Sequence, residues 1–225
     1  MNLKRLLLIL CMLYGGFTLA QAPAGLWGEA EIGYKITSKI KLTLGEEMRL
    51  RENLSKIDRF ETTLGATYKF NKYFKAGAGY TFIKYNHPDG YWENRQRFYA
   101  EAQGEYKVYR VTMSLREKVQ STYREGVIET SARANPKLYV KSRVEASYSV
   151  KNSGFDPYIS AEFFNTINDP QKNELTKIRY TFGTKYKINK KNSLNLFYRY
   201  VTEKFDDDIE GSNIIGIGYI FEFKK

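Results

Sequence analysis

Cysteine is nearly absent from this chain of 225 residues, which contains only Cys11. A single thiol cannot form a disulfide within its own chain, so the fold does not rest on a disulfide framework. Long apolar runs are also missing after residue 20, and none there could span a bilayer as a helix. With 27% charged residues and a mean hydropathy of −0.53, the chain is too polar to be a bundle of membrane helices.

Histidine is equally scarce, and this limits the chemistry that we expect. His87 is the only copy; it lies two residues before Asp89 in a predicted loop. Together with the acidic segment 206–208 it would be the candidate for a hydrolase site on a loop rim, since hydrolysis needs a base near a nucleophile or an activated water. No spacing requires such a site, and segment 206–210 matches no calcium-loop spacing. We therefore predict that the chain is not an enzyme and has no metal or cofactor, and we keep the rim hydrolase as an alternative.

The charge of the chain is strongly positive, at +11 with an isoelectric point near 9.4. Such a balance raises the possibility of a nucleic-acid partner. The basic residues, however, alternate with apolar ones instead of forming one patch, and the sequence contains no nucleic-acid motif. We predict no nucleic-acid binding.

The first twenty residues have the layout of an export signal. Lys4 and Arg5 precede a run rich in Leu and Ile, and small residues come before Gln21. Cys11 follows Leu10, whereas lipoprotein processing needs a small residue there, so lipidation is the weaker interpretation. We predict a cleaved signal at 1–20 and one domain over 21–225.

Beyond the signal, the dominant pattern is alternation with a period of two. In segment 40–50, for example, Ile40, Leu42 and Leu44 alternate with Lys41 and Thr43. Glu46 is an exception, because it occupies an apolar position of that segment. This pattern predicts half-buried strands. Eleven segments show it: 26–36, 40–50, 60–70, 74–82, 98–106, 111–119, 138–150, 159–163, 178–188, 194–200 and 215–223.

The connections between these segments alternate in length. The short ones are 37–39, 71–72, 107–110, 151–156 and 189–192, and the wider ones are 52–55, 86–92, 123–136, 165–174 and 205–211. Short turns at one rim and longer loops at the other are typical of up-and-down barrels in outer membranes, where the short turns face the periplasm. We therefore predict an all-β fold, an antiparallel up-and-down transmembrane β-barrel of about 10–12 strands.

Aromatic residues supply a second indication of a membrane barrel. They make up 16% of the chain, with nineteen Tyr and fourteen Phe. On the apolar face, many of them lie close to a short turn or to the last predicted strand's end: Tyr34, Tyr68, Phe70, Phe74, Tyr106, Tyr148, Tyr186, Phe221 and Phe223. An aromatic girdle at the level of the lipid headgroups is typical of membrane barrels. The simpler interpretation is the general preference of strands for aromatic residues.

The number of strands raises a question about how the barrel closes. Bacterial single-chain barrels have an even number of strands, whereas eleven segments alternate in this sequence. We therefore expect ten or twelve strands in the wall, and the N-terminal segment 26–36 is the first candidate for exclusion.

If the apolar face contacts lipid, the polar alternates line the interior, and basic residues outnumber acidic ones there. The lumen-lining candidates are Arg49, Arg59, Glu61, Arg95, Arg97, Glu101, Arg116, Arg143, Glu145, Arg179 and Arg199. One interpretation is a closed interior in which Arg pairs with Glu, since an unpaired buried charge is costly. The other is a small diffusion pore that favours anions, as rings of Arg and Lys do. A non-conducting scaffold or adhesin barrel is the alternative function.

The last predicted strand, with Tyr219, Phe221 and Phe223 on one face, resembles the terminal aromatic strand of bacterial outer-membrane proteins. The segments LWGEAEIGYK, YKFNKYFKAGAGY, KIRYTFGTKYKINKKNSLNLFYRY and IIGIGYIFEF are similar to an uncharacterised outer-membrane family common in Bacteroidota, a domain of unknown function. The resemblance implies an outer-membrane location. It also implies contact with outer-membrane lipids and recognition of the last strand by the barrel-insertion machinery. It implies no chemistry, and the oligomeric state stays open.

Overall fold

The structure, a computed structural model, describes residues 22–205 and 208–224. The predicted signal and Asp206 and Asp207 of the acidic segment lie outside these residues. The described chain forms eleven strands: β1 (Ala24–Lys35), β2 (Ile40–Arg51), β3 (Lys56–Lys69), β4 (Phe74–Asn86), β5 (Trp92–Val108), β6 (Val111–Arg124), β7 (Lys137–Tyr148), β8 (Phe155–Thr166), β9 (Leu175–Lys187), β10 (Asn192–Phe205) and β11 (Asp208–Lys224). The alternating sequence pattern thus predicted the strands.

The eleven strands of the described chain close into one barrel. Each strand pairs antiparallel with the next, and β1 closes the barrel by pairing parallel with β11, from Ala24 opposite Asn213 to Lys35 opposite Lys224. The expectation of ten or twelve wall strands was wrong, and so was the suspicion against the first one. An odd number of up-and-down strands makes the first and last run in the same direction, so only a parallel seam can close the barrel.

The two faces of the wall differ as the alternation predicts. Outward apolar side chains are exposed, for instance Leu64 at 56% and Ile215 at 64%. Inward positions on the same strands are buried or half-buried, and many of them are charged. Because hydrocarbon solvates apolar side chains and water does not, this surface is suited to a bilayer. Among the described residues, no helix is long and apolar enough to cross a membrane.

The two rims carry different connections. One rim, here called the turn rim, has the connections that follow β1, β3, β5, β7 and β9; the other, the loop rim, has the longest ones, 125–136 and 167–174. The predicted wide connection 205–211 was wrong, because β10 continues to Phe205 and β11 begins at Asp208 with these two residues paired.

Aromatic rings contact one another along the turn rim. Ring centroids are 4.9 Å apart for Tyr34 and Phe223 and 4.5 Å apart for Phe155 and Tyr186. Similar contacts join Tyr68 with Phe70, Phe70 with Phe74, and Tyr73 with Tyr106. The rings at this rim thus contact one another in several separate groups around the wall, in agreement with a girdle at the level of the lipid headgroups.

The start of the first strand and the end of the last strand lie at opposite rims. β1 begins at the loop rim, where the Ala24 amide donates to Asn53 Oδ1 at 2.9 Å and the Asn213 amide donates to the Pro23 carbonyl at 3.0 Å. β11 ends at the turn rim, where Lys224 pairs with Lys35. This arrangement is the direct result of the odd strand number.

Candidate functional site

The inner face of the barrel is the candidate site, because polar and charged side chains converge there. The structure places all eleven predicted lining residues on this face, each buried or half-buried. The strands hold them in place through the period of two: every second residue of a strand points to the interior. What the sequence did not show is which of them meet.

Glu61 on β3 is the centre of one group of ion pairs. Its carboxylate is 2.7 Å from Arg97 Nη1, 3.5 Å from Arg49 Nη2 and 3.7 Å from Arg59 Nη1. Glu61 itself is only 5% exposed. Arg49 also pairs with Glu47. Three guanidinium groups therefore share one buried carboxylate, and Arg59 also pairs with Asp58 at 2.6 Å, so only Arg97 depends on Glu61 alone among the described residues.

Glu162 on β8 is the centre of a second group. It pairs with Arg116 on β6, two strands away, and its Oε2 is 3.5 Å from Arg179 Nη1 on β9. Arg116 Nη1 is also 3.8 Å from Glu101 Oε2, which forms an ion pair with Lys118 Nζ at 2.8 Å. Pairs that skip a strand bridge the curvature of the barrel, which a narrow lumen permits.

The remaining predicted residues lie in smaller pairs on the same face. Glu145 Oε2 is 3.6 Å from Arg143 Nη2, and its Oε1 is 3.2 Å from Lys185 Nζ. Arg95 pairs with Glu93 towards the loop rim. The ion-pair network predicted as one interpretation is thus present in the structure.

Trp27 on β1 is an inward residue that the sequence interpretation missed. Three guanidinium carbons lie near its ring centroid: Arg49 at 3.8 Å, Arg199 at 4.6 Å and Arg179 at 5.2 Å. Such contacts are favourable because the ring face is negative. Trp27, Tyr158, Phe197, Val201 and Ile214 also form a buried apolar cluster, which lies on the inner side of β1, β8, β10 and β11. The sequence does contain a feature that marks this residue, because Trp27 is an aromatic residue in the same alternating series as Glu29 and Glu31.

Three half-buried inward cations, Arg199, Lys141 and Arg124, have no carboxylate within 4.0 Å among the described residues. Arg199 donates from Nε to Thr181 Oγ1 at 3.0 Å and lies over the rings of Trp27 and Phe197. Lys141 donates to Gln120 Oε1 at 2.5 Å and lies 4.5 Å from the ring centroid of Phe164. Neutral acceptors and ring faces are weaker partners for a cation than a carboxylate, so these two groups leave positive potential inside the barrel.

Two cavities open towards the rims. The outer vestibule, about 370 Å³, is near the loop rim and is lined by basic residues including Arg51, Arg59 and Lys177. The inner vestibule, about 530 Å³, is near the turn rim and is lined by residues including Lys41, Lys75 and Lys118. The two cavities share no lining residue.

Between the vestibules lies a packed band. We call this band the waist; it consists of Trp27, Arg49, Glu61, Glu162 and Arg179. Trp27 is 7% exposed and Glu162 8% exposed, so their side chains are closely packed in this conformation. The waist is held by the two carboxylate-centred groups described above and by the Trp27 ring.

A third cavity, of about 230 Å³, adjoins the inner vestibule and has an acidic wall. Glu29, Glu31 and Glu47 line it. Lys41 pairs with Glu31 at 3.0 Å and Arg49 pairs with Glu47, whereas Glu29 has no ion pair among the described residues. Unpaired charge on the inner face is therefore divided, with the acidic group on β1 and basic groups such as Arg199 and Lys141 on β10 and β7.

The loop-rim residues considered for catalysis form a small local contact. His87 stacks on Tyr91 with centroids 4.5 Å apart, and its Nδ1 is 3.3 Å from Asp89 Oδ2. In the part of the chain that the structure describes, no group of three or more His, Cys, Asp or Glu side chains is arranged to hold a metal ion.

A closed wall with an apolar outside and an ionic inside is the architecture of the outer-membrane β-barrels. The chain belongs to the family described as a protein of unknown function, DUF2490, whose model matches residues 24–211. No curated protein matches the sequence.

Solved structures show the same fold. The chain is similar to the beta domain of the Bordetella autotransporter Brka, with 14% identity, a TM-score of 0.52, and coverage of 85% of this chain and 86% of that one. It is also similar to the NanC porin, with 12% identity, a TM-score of 0.58, and coverage of 90% of this chain and 100% of that one. At these identities the likeness concerns the fold alone.

Proposed function

We propose that this protein forms a narrow passage for small anions across the bacterial outer membrane, and that the waist closes it in the conformation described. The observation that carries the proposal is that the half-buried inward cations Arg199 and Lys141 have no carboxylate partner among the described residues. A permeating anion lowers the energy of these groups, whereas a permeating cation raises it, which is how rings of Arg and Lys select anions.

The inner vestibule supports the same direction of selectivity, because its basic lining residues, such as Lys75 and Lys118, outnumber its acidic ones. The outer vestibule has carboxylates such as Asp58 and Glu203 beside Arg51 and Arg59, so it is close to balanced in charge. An anion that reaches the inner mouth is therefore attracted before it meets the waist. Opening then requires the Trp27 ring and the Arg49 side chain to move out of the lumen.

The test is conductance of the refolded full chain in planar bilayers under a salt gradient. Trp27→Ala removes the ring from the waist, so we expect larger or more frequent openings than in the wild type. In the double variant Arg199→Gln with Lys141→Gln, we expect the reversal potential to move towards the value of a pore that does not distinguish anions from cations. Lys84→Gln is the matched control, because Lys84 is exposed on the outer face near Trp92. An unchanged reversal potential in the double variant would contradict the anion passage.

A non-conducting barrel is the second candidate, and the burial of the waist favours it. In that case the ion pairs form a structural core, and the protein acts as a scaffold or adhesin through its loop rim. Absence of current above background in both the wild type and the Trp27→Ala variant, with folding verified by heat-modifiable migration in gels, would select this candidate.

Three further assignments belong to this proposal. The fold and the family support an outer-membrane location, contact with its lipids, and insertion through the last strand with Tyr219, Phe221 and Phe223. An origin in Bacteroidota rests on the sequence resemblance. We also propose that the protein is not an enzyme, against the alternative of a rim hydrolase; a loss of lipid or peptide turnover on His87→Ala would contradict this.

A further inference from the structure

A carboxylate lies on the lipid-facing surface of the barrel, at mid-strand. Glu46 of β2 is exposed on the same face as Leu44 and Met48, which are 41% and 39% exposed. Glu46 lies six positions along β2 from Ile40, which is at the turn rim. At a rise of about 3.4 Å per residue and a tilt of about 40°, it lies about 15 Å above that rim, inside an apolar band about 25 Å tall.

Only part of the Glu46 carboxyl group is satisfied within the described chain. Thr62 on β3 donates from Oγ1 to Glu46 Oε2 at 3.0 Å, and no hydrogen bond from the described residues reaches Oε1. Lipid tails have no donor or acceptor, so an ionisable group facing them is costly and marks a functional contact. The structure thus points to a polar partner outside this barrel.

The surface beside Glu46 is shaped for close approach. A groove of about 430 Å³ runs along β1, where Gly28 and Ala30 leave the wall low, between Met48 and Phe60 on one side and Ile217 and Tyr219 on the other. A Cβ at Gly28 would have no atom within 4 Å. Small residues beside one polar group are the features that hold membrane segments together, since neither contact depends on excluding water.

We propose that this groove is the contact face between two copies of this chain in the membrane, with Glu46 at its centre. In hydrocarbon a bare carboxylate is far costlier than a neutral carboxyl group, which has one donor and one acceptor. Two neutral carboxyl groups related by a two-fold axis satisfy each other, which is the reciprocal pattern of an isologous dimer with Glu46 on its axis.

The chain contains a matched control for this site. Glu117 of β6 is also exposed on the outer face, six residues from its turn-rim end, and accepts from Ser142 Oγ at 2.7 Å. Ala30 lies opposite Glu46 on the neighbouring strand, just as Ala102 lies opposite Glu117. Glu117 lies outside the groove, so its removal should leave the dimer intact.

The experiment measures self-association of the full chain by sedimentation in density-matched detergent. We expect the wild type, Glu117→Leu and Glu46→Gln to dimerise, because Gln also carries a donor and an acceptor. Glu46→Leu should raise the dissociation constant at least tenfold while the barrel stays folded. A monomeric wild type at all concentrations, equal association in Glu46→Leu, or equal losses in Glu46→Leu and Glu117→Leu would overturn the proposal.

Cysteine cross-linking in bilayers tests the geometry. Ala30→Cys should cross-link between copies, and Ala102→Cys should not; the reverse result, or equal cross-linking, would overturn the proposal. Cys11, the only native cysteine, lies in the predicted signal. Neither readout depends on conductance, so failure of the dimer and failure of the anion passage are distinguishable.

Discussion

Inward aromatic side chains lie flat against the barrel wall because glycine stands beside them. A Cβ built on Gly216 would be 2.0 Å from Cζ of Phe197, and one on Gly183 would be 2.8 Å from Cζ of Tyr158. Both rings thus occupy space that any other residue type would fill. This keeps large side chains near the wall and leaves the centre to the ionic groups.

Gly216→Ala is therefore expected to push the Phe197 ring into the lumen. Overpacking of this kind costs about 1–3 kcal/mol. Gly104→Ala, on the outer face of β5 with no atom within 4 Å of the added Cβ, should leave the free energy of unfolding nearly unchanged. Urea unfolding of both variants in lipid vesicles measures the difference, and equal stabilities would contradict the role of Gly216.

The carboxylate of Glu174, at the end of the loop 167–174, links that loop to β10. Lys204 Nζ donates to its two oxygens at 3.1 and 2.9 Å, and Lys172 Nζ lies 3.4 Å away. The hydrogen bond from Lys204 lowers the pKa of Glu174 below its ordinary value of 4.5.

Because this pKa is lowered in the folded state, the contact stabilises the loop above pH 4.5 and is lost as the pH falls through the lowered value. After correction for the intrinsic exchange rate, the protection of the loop amides should fall in that range in the wild type. The Glu174→Gln variant lacks this contact at every pH, so its loop amides should already be poorly protected at neutral pH and should show no such step. A step of the same size in the variant would assign it to another group.

The parallel seam between β1 and β11 depends on contacts at the ends of β1. At the loop rim, Asn53 accepts from the Ala24 amide through Oδ1, and its own amide donates to the Ala24 carbonyl at 3.0 Å. On the inner side, Trp27 and Ile214 belong to the apolar cluster that covers the seam. A parallel ladder is slightly less stable per residue than an antiparallel one. The Asn53 contacts hold the start of β1 against the turn after β2, next to this weaker parallel seam.

Asn53→Gly tests this anchor, because glycine accepts the positive φ of 55° at this position and removes only the side chain. Losing the Oδ1 acceptor should cost about 1 kcal/mol and speed amide exchange at the start of β1. Asn152→Gly is the matched control, with a φ of 53° in the turn between β7 and β8. Similar exchange at Ala24 in both variants would show that the Asn53 side chain is not the anchor.

The strands could be predicted from sequence because half-buried strands repeat every two residues, as in Ile40, Leu42 and Leu44. The direction in which two strands pair leaves no such trace, so the parallel seam was missed and segment 26–36 was doubted. The connection 205–211 was misread because Gly211 and the acidic residues before it are typical of loops, although this hairpin extends as paired strand to Phe205 and Asp208.

Across the barrel, the interior is stabilised by a few carboxylates that each serve several cations. Glu61→Gln would leave Arg97 without a carboxylate partner among the described residues, whereas Arg49 keeps Glu47 and Arg59 keeps Asp58. Stranding a buried charge costs about 3–5 kcal/mol. Glu105→Gln removes a half-exposed group 3.9 Å from Lys75, and such a pair contributes about 0–1 kcal/mol. Unfolding free energies in vesicles that are equal for both variants would contradict a central role for Glu61.

Sequence alone could place residues on the inner face but not pair them. Arg116 and Glu162 are 46 positions apart and meet because both lie in register with Arg143 of the intervening strand β7. The alternation pattern carries no information on the register between strands. Trp27 was visible as an aromatic residue at a polar position, yet its contacts with arginines from β2, β9 and β10 depend on the closure of the barrel.

The opposite-rim positions of Ala24 and Lys224 have a topographic consequence. If the turn rim faces the periplasm, an epitope tag fused before Ala22 of the processed chain is displayed on the cell exterior, and one fused after Lys225 stays inside. Antibody labelling of intact cells should therefore detect only the first tag. In an even-stranded barrel both tags would share one compartment. The odd number of strands would instead make the two ends of this chain accessible from opposite sides of the membrane.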